Sequence, residues 1–141
     1  MRLPDLYRCA RQNQIPILRY PMPRCSSMSM PTERGCVIGM DGSVCDGGAQ
    51  ERVHLSHELG HCMTGSFYNR YTPYDVRRRH ENRADKWAVR NLIPADALDE
   101  AIASGHTQMW ELAEHFEVTE AFMRKAVCLH VHGNLATELY F

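Results

Sequence analysis

Val53–Gly65 reads VHLSHELGHCMTG, with His57 and His61 four residues apart and Glu58 directly after the first histidine. On an α-helix that spacing turns through only about 40° around the axis, so both imidazoles leave one face and can hold one ion. Glu58 lies about 100° round from His57, where a carboxylate reaches a water on that ion without ligating it. The H-E-x-x-H pattern is read as two metal ligands and a base, on a helix expected at about Gln50 to Met63. The plain alternative is an amphipathic helix with two solvent-facing histidines, and a third ligand decides between the two.

Downstream, HENRADKWAVRNLIP (His80 to Pro94) supplies that ligand in Glu81. Asp85, four residues on, shares its helical face and can accept the outer N–H of a ligating histidine. His80 competes with Glu81 as third ligand, and Asp85 has the simpler reading of a solvated helix acid. The metzincin extension needs Gly and His where Thr64 and Phe67 stand, which excludes that class. Two imidazoles and one carboxylate leave a coordination position for water, as catalytic rather than structural zinc requires.

Upstream, GCVIGMDGSVC (Gly35 to Cys45) predicts a β-hairpin turning at Asp41-Gly42 with a short return strand, and its Val37–Met40 edge is read as the place where an extended substrate adds. IPILRYPMP (Ile15 to Pro23) suits an edge strand or extended segment. A short helix capped by Asp5 is expected over Asp5 to Gln14. Further helices are expected at about Asp75 to Ile93, Ala95 to Ser104, Gln108 to Phe116 and Thr119 to His132. The fold class is therefore α+β and mostly helical, with a small N-terminal β-sheet or hairpin and a helical C-terminal half.

The 141 residues suit a single domain over 1–141, with no internal repeat. Sixteen Lys and Arg against 17 Asp and Glu give a net charge of −1, which supplies no overall attraction to nucleic acid or anionic membrane. No window approaches the roughly 18 apolar residues of a membrane span, and the first residues lack the apolar run of an export signal, so a cytoplasmic location is expected. The six cysteines form no C-x-x-C pair and are expected to be reduced thiols.

HLSHELGHC, then ENRADKWAVRNLIP, then LAEHFEVTEAFMRKAV together resemble the ImmA/IrrE family of zinc metallopeptidases over roughly Val53 to Val127. The resemblance implies a zincin-like core with a small N-terminal sheet packed on the motif helix, one Zn²⁺ per chain held by His57, His61 and Glu81, Glu58 as catalytic base, and a helix-turn-helix transcriptional repressor as protein substrate. The segment at about 107–132 itself matches a helix-turn-helix pattern, with Glu117 where the turn customarily has Gly. It offers only Arg124 and Lys125 as DNA contacts, so a core-closing hairpin is the preferred reading. Endopeptidase, DNA-binding regulator with a structural metal, and metal-containing interaction module are the three function classes left. Tyr68, Tyr71, Tyr74 and His80 are candidates, by chemistry alone, to stabilise an oxyanion.

Overall fold

The structure, a computed structural model, describes residues 1–138. It is a mostly helical α+β fold: α1 (Leu3–Gln12), β1 (Ile17–Arg19), β2 (Ser27–Thr32), β3 (Gly35–Met40), α2 (Ala49–Thr64), α3 (Tyr74–Leu92), α4 (Ala95–Ala103), α5 (Met109–Phe116) and α6 (Glu120–His132). The expected helices all form, each within two residues of its predicted ends. Asp5 does not cap α1 but sits in its first turn, where its carboxylate accepts from the Arg2 N–H at 2.9 Å.

The strand order is β1-β3-β2, with β1 parallel and β2 antiparallel to β3. This corrects two expectations. The hairpin joins β2 to β3 through Glu33-Arg34, with Gly35 at φ +124°, and does not turn at Asp41-Gly42. Asp41 instead accepts from the Ser43 and Met22 backbone N–H groups at 2.9 and 2.7 Å, starting a 3₁₀ turn (Gly42–Val44) in place of a return strand. Val37–Met40 therefore lies in the central strand with both edges paired, and the free edge beside the motif helix belongs to β2.

Along β3, Cys36, Ile38 and Met40 alternate inward onto α2, whose Leu55 and Leu59 are fully buried. α2 packs most extensively against α3, where small residues permit close approach: a Cβ on Gly60 would stand 2.5 Å from the Ala84 carbonyl oxygen. The cysteine expectation is also corrected, because Cys36 and Cys62 form a disulfide between β3 and the last turn of α2. Packing of helix on sheet brings their Cα atoms to 5.8 Å, a distance that no spacing along the chain encodes.

The C-terminal hairpin buries Leu112, Ala113, Val118, Phe122, Met123, Ala126 and Leu129, and Glu117 adopts the left-handed conformation of the customary glycine. Ala126 is fully buried and Val127 partly so. No helix among the described residues is long and apolar enough to cross a membrane.

Candidate metal centre

α2 presents the His57 and His61 rings edge to face, with 4.8 Å between centroids and 3.2 Å between the Nε2 atoms. α3 brings the Glu81 carboxylate onto both, Oε2 at 2.8 Å from His57 Nε2 and Oε1 at 3.2 Å from His61 Nε2. His80 does not converge on them. Its ring stacks on Tyr68 at 6.3 Å, one residue and about 100° round the helix from Glu81.

The outer ring nitrogens decide what the inner ones offer. His57 Nδ1 lies 2.8 Å from Asp85 Oδ1, and His61 Nδ1 lies 2.6 Å from the Ser66 carbonyl. An ionised carboxylate and a carbonyl only accept, so both Nδ1 atoms carry hydrogen, and each ring, when neutral, turns its Nε2 lone pair inward at Glu81. Acceptors that face each other this closely repel unless a cation lies among them. A tetrahedral zinc with bonds of about 2.0–2.1 Å holds its donors roughly 3.3 Å apart, close to the separations here. The donor set fits such an ion, and the three ligand atoms all lie within 4.8 Å of one another.

A proton on His57 Nε2 answers the same demand for positive charge. Burial pushes the His57 imidazolium down, but hydrogen bonds to Asp85 and Glu81 outweigh it and raise its pKa to about 10. Burial raises Glu81, yet the two imidazoles and the Tyr68 hydroxyl hold it well below the usual carboxylate range. Asp85 is likewise raised by burial but lowered overall by His57 and by Lys125, whose Nζ lies 3.1 Å from Oδ2. The centre attracts positive charge.

Glu58, 5 % exposed, borders a cleft of about 490 Å³ shared with His57, His61, Glu81, Tyr68 and the start of β2. Ser27 donates to Glu58 Oε2 at 2.7 Å and meets His54 Nδ1 at 3.1 Å. Tyr68 donates to Glu81 Oε1 at 2.6 Å; burial, then that bond, push its pKa up to about 12. Of the other oxyanion candidates, Tyr71 and Tyr74 are exposed and lie beside Arg70 and Arg78 instead. Ser27, Ser66 and Lys125 were missed from sequence. Only Ser66 had a signal: it follows Gly65, which ends α2 in the left-handed conformation and turns the chain back beneath His61.

The model of the IrrE N-terminal-like domain, a peptidase domain, matches residues 45–127, more than half of the chain and all of α2, α3, α4 and α5. The chain belongs to this family. Comparison with curated proteins found no match, and comparison with solved structures found none either. Membership in the IrrE N-terminal-like family makes this a metallopeptidase-family chain with a protein as its substrate class, and a His-His-Glu group able to hold a metal lies inside the matched region. The three strands of the sheet lie outside that region.

Proposed function

We propose that this chain is a zinc-dependent endopeptidase, one domain over residues 1–141, that acts in the cytoplasm on a regulatory protein such as a helix-turn-helix repressor. His57, His61 and Glu81 are the ligands, Glu58 is the base, and Asp85 orients His57. The observation that carries the reading is the set of inward-facing acceptors beside Glu58 in an open cleft. A zinc ion held there supplies a water acidified toward neutrality and a Lewis acid for the scissile carbonyl. Glu58 takes the water's proton on Oε1, since Ser27 occupies Oε2, and returns it to the leaving amine. The free edge of β2 aligns the substrate as an added strand, taking the part first given to Val37–Met40.

The test incubates zinc-loaded protein with the helix-turn-helix proteins encoded nearby in its genome and follows discrete fragments by mass spectrometry. Cleavage is expected with wild type and reduced about 10²- to 10⁴-fold in Glu58→Gln, which keeps the shape of the side chain but cannot accept the proton. Wild-type rates from Glu58→Gln would remove it as base. Intact repressors throughout would reject that substrate class.

A further inference from the structure

A second cavity, of about 300 Å³, lies between α3, α6 and the 136–138 turn and meets the metal centre at His57 and Glu81. Arg78, Arg124 and Lys125 line it beside Glu81 and Asp85. The acids are already engaged, Asp85 by His57 and Lys125, Glu81 by both imidazoles and Tyr68. The arginines are held only weakly. Arg78 has no carboxylate partner among the described residues; its guanidinium lies 5.5 Å from the centre of the Tyr74 ring, and its Nε is shielded from water without a hydrogen bond. Arg124 reaches only Glu120, at 3.9 Å between side chains 64 % and 49 % exposed, a pairing of little worth.

Both arginines line one cavity, and each guanidinium is a fork-shaped donor that matches a carboxylate better than a lysine ammonium would. The cavity shares two walls with the centre where the bond is cut, so a chain lying across that centre can send a side chain into it. We infer that this cavity is an anion subsite, in which Arg78 and Arg124 receive an Asp or Glu side chain of the polypeptide substrate near the scissile bond. The inference rests on the proteolytic reading for its occupant, though not for its anion.

The test follows the Arg78 and Arg124 Nε–H signals by NMR while sulfate is added to the zinc-loaded protein. Saturable shifts are expected, with affinity weakened about tenfold in Arg78→Gln or Arg124→Gln, as loss of one charge-assisted hydrogen bond implies. Arg34→Gln, on the β2–β3 turn, should leave it unchanged. Signals that do not move, or an affinity unaltered in both cavity variants with their backbone spectra intact, would overturn the site. A second arm replaces sulfate with acetylated hexaglutamate and hexaglutamine peptides. Hexaglutamate alone should reproduce the shifts and compete with sulfate; sulfate binding without it would mean that the cavity takes free anions and the substrate class is wrong. Neither arm needs turnover, so a chain that binds both anions but cuts nothing would discredit the proteolytic reading alone.

Discussion

Ser27 carries one hydroxyl proton, and two neighbours lie within its reach. Glu58 as a carboxylate can only accept, so the proton goes to Oε2 at 2.7 Å, and His54 Nδ1 at 3.1 Å must then be the donor to the Ser27 oxygen. The first residue of the edge strand thus fixes which oxygen of the base is free. Ser27→Ala should fold normally, because the side chain lies at a partly open cleft, while kcat on the cleaved substrate falls about tenfold with KM little changed, the worth of one hydrogen bond to a charged group. Ser27→Thr should restore most of the loss. A rise in KM alone, or no rescue by Thr, would make Ser27 a wall of the cleft and nothing more. The asymmetry in what could be read beforehand has a physical cause. His57, Glu58, His61, Glu81 and Asp85 sit on two helices whose 3.6-residue period converts spacing into direction, so their convergence was legible. Ser27 reaches Glu58 across 31 residues through a strand pairing, and no pattern in the serines around it encodes that.

At the scale of elements, the meeting of α2 with α3 decides whether the ligands converge at all. Gly60 sits between His57 and His61, and its missing Cβ is what lets the helices touch. Alanine in a helix interior ordinarily gains up to about 1 kcal/mol over glycine. Here the added carbon would meet the oxygen, Cα and carbonyl carbon of Ala84 at 2.5, 2.9 and 3.0 Å, all backbone atoms that no rotamer change can move. Gly60→Ala should therefore destabilise by about 1–3 kcal/mol and weaken metal retention, seen as a lower urea midpoint and faster zinc loss to a chelator. A variant as stable as wild type would show that the helix pair yields. The helices themselves were readable from apolar periodicity and from Pro94, as were the edge strand β1 and the strand β3, whereas the hairpin partner of β3 was read on the wrong side. An apolar run ending in Asp-Gly carries the same local signal whether the aspartate turns a hairpin or caps a 3₁₀ turn, and Asp41 does the latter because Met22 and Ser43 claim its carboxylate. The partner strand, SMSMPT (Ser27–Thr32), has neither β-branched residues before its end nor a buried face, so its propensity is weak and pairing with β3 makes it a strand.

For the whole molecule, long-range ties bind the helices to one another and to the N-terminus. Arg52, 7 % exposed on α2, donates to the carbonyls of Phe116 and Glu117 at the end of α5 and to the Met1 carbonyl, so the motif helix caps the C-terminal hairpin and holds the N-terminus. With its apolar residues spent on that packing, α6 shows few cations, and no salt-sensitive binding to arbitrary duplex DNA is expected at physiological ionic strength. Steep salt-dependent binding would revive the DNA-reading role for the hairpin. The proposed metal would make a further tie, since His57, His61 and Glu81 come from two helices and converge only when those helices pack. An ion that binds the folded chain alone adds stability of RT ln(1 + [L]/Kd), about 2.7 kcal/mol at a hundredfold excess over Kd, so unfolding should occur at lower urea after chelation and recover with zinc. His57→Ala should lose this response, having lost a donor. Asp85→Asn should keep a weakened one, because loss of the charge behind His57 costs about 10- to 100-fold in affinity. Glu58→Gln should respond like wild type, since a base outside the coordination sphere contributes nothing to holding the ion. If Glu58→Gln were as unresponsive as His57→Ala, Glu58 would itself hold the metal, and a different group would have to take the proton from water.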